Sequence, residues 1–226
     1  MEFLFPHEHS PEVVAERLRR HGLAPALSNL PSGDQAAGDR GLAALPHRRP
    51  EMRAAFEAAL PCIGATGVPH VLMAGHADHS AASRGAFHDA VAWPAERLAA
   101  EGVTLLLEPL NTRDDPGHPL TDLDGAAALT RDLALPNLPL QFDLHHAQIP
   151  HGDVTRPLEA TMPPLGHVQV TSVPSRHEPD GEEPSHAHLW ALLDRLGDRG
   201  WVGLEHRPRG GTLVGLGWTA ACGGGP

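Results

Sequence analysis

Four oxygen-bearing side chains stand at or near the carboxyl ends of consecutive short apolar segments. They are Glu108, Asp143, Gln169 and Glu205. If the segments are parallel strands of a barrel, their carboxyl ends open on one face and the four side chains converge there. Three carboxylates in one pocket repel one another, and a divalent cation resolves that conflict. Oxygen ligands favour Mg²⁺ or Mn²⁺, so the pattern predicts a site for one of these ions.

The apolar segments are brief, continuous and bounded by Gly, Pro or Asn, which is typical of buried parallel strands. The predicted strands cover residues 2–5, 24–30, 70–74, 103–108, 138–143, 167–171 and 202–205. Helix-like stretches separate them, and one carries an apolar stripe of leucines between residues 189 and 196. This alternation predicts an α/β fold, and we expect a (β/α)8 TIM barrel. An open doubly wound sheet is the alternative, although it favours a Gly-rich phosphate loop after the first strand, which this sequence lacks.

The composition narrows the class of partner and the cell compartment. The 226 residues suffice for one sizeable core, so we expect a single domain over residues 1–226. A net charge of −11 argues against nucleic acid and against an anionic membrane as partner. No apolar run approaches the roughly 20 residues that cross a bilayer. The two cysteines lie far apart in the sequence, so we expect a protein of the reducing cytoplasm. The absence of lysine excludes Schiff-base chemistry.

Longer motifs occur in a fixed order around the four oxygen-bearing residues. They span residues 106–114, 140–148, 166–170, 176–179, 200–208 and 215–218, and an earlier group lies between residues 29 and 41. In this order and spacing they resemble the hydroxypyruvate isomerase family, which belongs to the xylose isomerase-like TIM barrels. The resemblance covers most of the chain, and such an ordered series is far more specific than any one of its motifs.

The resemblance implies an isomerase, an intramolecular oxidoreductase that interconverts hydroxypyruvate and tartronate semialdehyde. It implies a divalent metal ion, Mg²⁺ or Mn²⁺, bound by Glu108, Asp143, Gln169 and Glu205. It also implies that Glu108 and Glu205 are the catalytic pair that exchanges protons with the substrate.

Two further residues, His146 and Arg176, match positions that contact substrate oxygens in related ketose epimerases. An arginine suits a substrate carboxylate, because its planar fork can bind two oxygens at once. The implied reaction removes a proton next to a carbonyl and forms an enediolate, which a chelating metal stabilises. Two carboxylates that flank the carbon chain can take and return the proton. The expected partner is therefore a small hydroxy-carbonyl acid, and the family alone suggests a homo-oligomer.

The chain departs from the family pattern at its N-terminus. Relatives begin about one strand and one helix earlier, so that residues 1–6 match their second strand. We therefore expect seven βα units and a barrel that is incomplete at its N-terminus. We also expect residues 219–226 to form a disordered tail.

Several alternatives stay open from the sequence. A 2-oxo-tetronate isomerase or a ketose 3-epimerase of the same superfamily would use the same residues, and an inactive truncated barrel would use none. A nuclease of the superfamily is less favoured, because the chain is acidic. We interpret His76, Asp78 and His79 as part of a solvated loop. We place His145 and His146 on an extension of the fifth strand, with His145 in a packing role.

Overall fold

A computed structural model describes residues 1–76, 80–162 and 165–222, except the side chains of residues 220–222. The chain divides into two compact units, Met1–Leu140 and Gln141–Pro226, which we name the first and the second unit. The expectation of a single domain and of a disordered tail stays a prediction. No helix among the described residues has the length and apolar character that a bilayer-spanning segment requires.

Strands and helices alternate along the described residues. The strands are β1 (Glu2–Phe3), β2 (Leu27–Asn29), β3 (His70–Leu72), β4 (Thr104–Leu106), β5 (Leu140–Asp143), β6 (Leu165–Gln169) and β7 (Val202–Gly203). The α-helices are α1 (Pro11–His21), α2 (Arg49–Thr66), α3 (Ala81–Ala99), α4 (Leu123–Leu133), α5 (Leu144–His151), α6 (Thr155–Thr161), α7 (His186–Leu196) and α8 (Thr212–Gly215). Short 3-10 helices lie at Pro6–Glu8, Pro46–Arg48 and Leu216–Cys222. Each predicted strand overlaps an observed one; most are shorter than predicted, and β6 begins two residues earlier.

The strands form two sheets whose order follows the chain. In the first unit, β1, β2, β3 and β4 are neighbours in that order, and each adjacent pair is parallel. The second sheet consists of β5, β6 and β7, in which β6 and β7 are parallel. Parallel neighbours joined through helices are the βαβ units that the sequence predicts. The described strands show no reversal of order, which an open doubly wound sheet would require.

The core of each unit is built from helix faces with regular apolar spacing. In the first unit, the buried face of α2 includes Phe56, whose ring meets that of Trp93 from α3 edge to face at 5.1 Å. Val71 of β3 and Leu105 of β4 belong to the same apolar cluster and are fully buried. In the second unit, the predicted leucine stripe lies in α7 and is buried at Leu189, Leu192 and Leu193.

Polar side chains begin several of the helices. The cap residues are Ser10 for α1, Ser80 for α3, Asp122 for α4, Asp143 for α5 and Ser185 for α7. Each of these side chains accepts a backbone N–H in the first turn, a group that would otherwise lack a helical partner. The contact of Asp122 is close, with Oδ1 at 2.7 Å from the backbone nitrogen of Gly125.

Two loops of the second unit are bound to each other along their backbones. They follow β6 and β7 and cover residues 170–185 and 204–211. The backbone N–H of Arg207 donates to the carbonyl of Arg176 at 2.7 Å. The imidazole Nδ1 of His177 lies 2.7 Å from the carbonyl of Arg207, to which it donates. These two contacts connect the loop after β6 to the loop after β7.

A buried carboxylate extends this connection. Glu178 is 2% exposed, and its two oxygens accept the backbone N–H of Arg209 at 3.1 and 3.3 Å. The guanidinium of Arg209 pairs with Asp180, with Nη2 at 2.6 Å from Oδ1. Gly215 must lack a side chain here, because an added Cβ would collide with Oε1 of Glu178. We name this group of contacts the Glu178 clamp.

The clamp favours the charged form of its carboxyl group. Hydrogen bonding from its own backbone N–H lowers the pKa of Glu178 below the ordinary value of 4.5, although burial alone would raise it. The backbone N–H of Arg209 and the positive charges of His206 and Arg209 lower this pKa further. The ionised form of Glu178 therefore stabilises the native state relative to the unfolded state.

We expect Asp122→Ala to lower the free energy of unfolding by about 1 kcal/mol, because the first turn of α4 loses its cap. Urea denaturation measures this change. Asp122→Asn is the matched control, since it keeps an acceptor oxygen and should stay within a few tenths of a kcal/mol of the wild type. Equal stability of the wild type and Asp122→Ala would contradict the capping role.

We expect Glu178→Gln to lower the midpoint of thermal unfolding at pH 7, and this difference to shrink as the pH falls. The folded pKa of Glu178 is depressed, so its contribution is complete above the unfolded value of 4.5 and is lost as the pH falls through the folded value. Melting curves of both proteins between pH 7 and acid pH measure it. Glu159→Gln, on the exposed surface of α6, serves as control. A difference that is constant with pH would contradict this assignment.

Candidate active site

Asp143 is the last residue of β5 and also caps the helix that follows. Its Oδ1 accepts the backbone N–H of His145 at 2.7 Å, and its Oδ2 accepts Nη2 of Arg176 at 3.1 Å. The side chain is fully buried. A buried carboxylate needs such donors, and here the N-terminus of α5 and a guanidinium supply them together.

His145 and His146 lie in the first turn of α5, so their expected place on a strand extension was wrong. The strand ends because Asp143 caps the helix. Their rings meet edge to face at 5.5 Å, and His145 is 2% exposed, as a packing residue would be. Nε2 of His146 lies 3.4 Å from Nη1 of Arg176 and 3.9 Å from Oδ2 of Asp143. Because arginine only donates, a hydrogen bond between these two groups would have Nε2 as its acceptor.

Arg176 contacts two carboxylates through one nitrogen. Its Nη2 lies 3.1 Å from Oδ2 of Asp143 and 3.1 Å from Oε2 of Glu205. Its Nε donates to the backbone carbonyl of Glu205 at 3.4 Å. The backbone of Arg176 has a φ of 57°, in the left-handed region that side-chain-bearing residues rarely adopt. The Glu178 clamp and the Arg207 hydrogen bond hold the loop in this conformation.

Glu205 lies two residues beyond β7 and is more open than Asp143. Its side chain is 37% exposed, while that of Arg176 is 18% exposed. The cluster of Asp143, His146, Arg176 and Glu205 therefore has a buried side at Asp143 and an accessible side at Glu205. Such an arrangement can bind a small polar molecule from the accessible side and place charge against it.

Gln169 ends β6, and its side chain is hydrogen-bonded to Gln141, a residue that the sequence motifs did not single out. Its Oε1 accepts Nε2 of Gln141 in β5 at 2.8 Å, and both side chains are buried. Gln141 precedes Asp143 by two positions, so both side chains point to the same face of the strand. A second polar residue on the same face of the strand as Asp143 was the available signal. The hydrogen bond fixes the orientation of the Gln169 amide.

Glu108 follows β4 in the first unit and is 7% exposed. The loop after β3 also leaves the sheet at this edge, and it carries His76, whose Nδ1 lies 2.7 Å from Oδ1 of Asp115. Gly117 packs against this imidazole, because an added Cβ would collide with it. His76 is thus half-buried and hydrogen-bonded, in contrast to the expected solvated loop, while Asp78 and His79 lie outside the described residues.

The second unit brings four of the predicted site residues into one cluster, namely Asp143, His146, Arg176 and Glu205. Gln169 is bound to Gln141 in the same sheet as Asp143. Glu108 belongs to the first unit, and its convergence with the others stays a prediction. The metal-binding, catalytic and substrate-binding roles of all six residues also stay predictions at this point.

Comparisons with known proteins agree with the motif order. The model of the xylose isomerase-like TIM barrel family matches residues 1–222. A 2-oxo-tetronate isomerase of Cupriavidus necator is 44% identical over 223 residues, which cover 96% of this chain and 85% of that protein. A hydroxypyruvate isomerase of Escherichia coli is 32% identical over 222 residues, with 96% and 86% coverage.

A solved structure agrees with the fold as well. A crystal structure from Brucella melitensis, described as an AP endonuclease of family 2, is 40% identical and superposes with a TM-score of 0.92. The match covers 97% of this chain and 86% of that one. The resemblance to the hydroxypyruvate isomerase family and the TIM-barrel fold class are thus confirmed. The chain therefore belongs to the xylose isomerase-like TIM barrel family and is an isomerase.

Proposed function

We propose that the protein isomerises a small 2-oxo acid that carries a hydroxyl group on the next carbon. Our leading substrate is hydroxypyruvate, which would become tartronate semialdehyde. The observation that carries this proposal is the cluster of Asp143, His146, Arg176 and Glu205 in the second unit. The names of the relatives from E. coli and C. necator support an acid of this class as substrate.

We propose that Glu108, Asp143, Gln169 and Glu205 bind a divalent cation, Mg²⁺ or Mn²⁺. Their carboxylate and amide oxygens are donors that these ions prefer. The geometry of the second unit fits, because a positively charged nitrogen already lies within 3.1 Å of the Asp143 and Glu205 carboxylates. When bound, the cation would act as a Lewis acid on the adjacent carbonyl and hydroxyl oxygens of the substrate.

In this proposal, Glu108 and Glu205 perform the proton transfers. One carboxylate removes the proton from C3 of hydroxypyruvate, and the electron pair moves to form the enediolate. A proton returned to C2 and the transfer of the hydroxyl proton from O3 to O2 complete tartronate semialdehyde. C3 of the substrate is oxidised while C2 is reduced, so the reaction consumes no external oxidant or reductant. The partial exposure of Glu205 lets a substrate reach this carboxylate, which would act as the base.

His146 and Arg176 would bind and orient the substrate. Arg176 offers a planar fork to the carboxylate of a 2-oxo acid. The imidazole of His146, whose Nε2 faces Arg176, offers a ring nitrogen for a hydrogen bond with a substrate hydroxyl. The Gln141 hydrogen bond holds the Gln169 amide in place. Cytoplasmic location and self-association stay predictions from the sequence.

The second candidate substrate is a 2-oxo-tetronate, favoured by the 44% identity to the C. necator isomerase. The same proton transfers would move its carbonyl between C2 and C3. A ketose 3-epimerase activity would also need these groups, but a neutral ketose has no carboxylate for Arg176. The name of the B. melitensis structure suggests nuclease activity as another alternative, but the net charge of −11 disfavours binding of nucleic acid.

We expect turnover of hydroxypyruvate or 2-oxo-tetronate that depends on Mg²⁺ or Mn²⁺ and is lost after chelation, because the enediolate charge needs the cation. Steady-state assays of purified protein on both acids, a ketose and an abasic-site DNA duplex measure this. The acid with the larger kcat/KM is the preferred substrate. Turnover of the ketose or the duplex alone, or full activity in excess chelator, would overturn the proposed function.

We expect Glu205→Gln to lower kcat by about 100-fold or more, because glutamine has the same shape but cannot take a proton. The same assay measures it. Glu159→Gln is the matched control, since it removes a carboxylate from the same unit on exposed α6 and should leave kcat unchanged. Unchanged turnover in Glu205→Gln would refute the catalytic role of this residue.

A further inference from the structure

Arg176 lies where a cation bound by Asp143 and Glu205 would lie. Its Nη2 is 3.1 Å from one oxygen of each carboxylate. A Mg²⁺ ion needs the same oxygens at about 2.0–2.1 Å and admits no second cation between them. Two positive charges at such a short separation repel strongly, and the full burial of Asp143 leaves little water to screen them. The guanidinium and the metal ion therefore compete for one position.

The side chain of Arg176 can leave this position without a movement of its loop. The backbone carbonyl accepts the Arg207 N–H at 2.7 Å, and the next residues are held by His177 and the Glu178 clamp. The guanidinium, in contrast, is connected to this backbone by several rotatable side-chain bonds, and the side chain is 18% exposed. A rotation about its side-chain bonds is enough to separate Nη2 from both carboxylates.

We propose that Arg176 is an internal counter-ion that a divalent metal displaces. Before the metal binds, its guanidinium balances the charges of Asp143 and Glu205. Binding of the metal ejects the guanidinium toward the accessible side of the cluster, where it meets the carboxylate of the incoming acid. Metal therefore binds before substrate. This inference rests on the proposed function, because it assumes that Asp143 and Glu205 are metal ligands.

Substitution of a residue at a metal site usually weakens metal binding, but for Arg176 we expect the opposite. Removal of the guanidinium removes a competitor, so metal affinity should rise although the site has been altered. We expect Arg176→Gln to bind Mn²⁺ about 10-fold more tightly than the wild type, a coupling of ordinary size between two sites. Isothermal titration calorimetry with MnCl₂ and no substrate measures the dissociation constant directly.

Matched variants separate this effect from simple changes in charge or folding. Arg195→Gln also removes one positive charge from the second unit, at an exposed pair with Glu159, and should leave Mn²⁺ affinity unchanged. Arg176→Met removes the guanidinium without adding a polar group and should also tighten Mn²⁺ binding. Thermal unfolding of each variant without metal shows whether it is folded. If one Arg176 variant is not folded, the Mn²⁺ affinity of the other one tests the proposal.

The outcomes distinguish this inference from the proposed function. Equal or weaker Mn²⁺ binding in a folded Arg176 variant overturns the displacement and leaves the isomerase proposal standing. Mn²⁺ binding in neither the wild type nor the variants overturns both proposals. Tighter binding in the variants, together with a wild type inactive on both acids, supports the displacement and overturns the proposed substrate class.

Discussion

Two carboxylates that lie close together in a partly buried site are stabilised by a positive charge between them. Asp143 is fully buried and Glu205 is 37% exposed, and both are within 3.1 Å of the same nitrogen of Arg176. Without that charge, the two carboxylates would repel each other, and Asp143 would be buried with one hydrogen-bond donor fewer. The left-handed backbone of Arg176, the paired loops and the N-terminus of α5 are all arranged around this interaction.

A second buried carboxylate with its own hydrogen-bond donors lies in the loops that carry Arg176 and Glu205. Glu178 is as buried as Asp143, and backbone N–H groups satisfy its charge. By binding the loop after β7, it fixes the backbone that carries Glu205 relative to the backbone that carries Arg176. Backbone donors suit a permanent structural role, whereas a guanidinium on a long side chain suits a charge that has to move.

Membership of the family establishes an isomerase and a barrel scaffold, but it leaves the substrate to the details of the site. Two relatives, 44% and 32% identical to this chain, carry names that refer to acids of different length. In the proposed function, the carboxylate of an acid would pair with Arg176, which a neutral sugar could not do. In the proposed function, a longer acid would extend from the accessible side of the cluster, at Glu205.

The sequence by itself determined the order of strands and helices, the parallel character of the sheets and the residues at the strand ends. Periodicity and apolar runs are local properties, and they suffice for β5, where Asp143 is the last residue as predicted. Tertiary structure decided which of these side chains form direct contacts. The contact between Arg176 and Asp143 joins residues 33 positions apart, and no local pattern specifies such a distance. Gln141 and the Glu178 clamp were missed for the same reason, because their partners come from neighbouring strands and loops that only folding brings together.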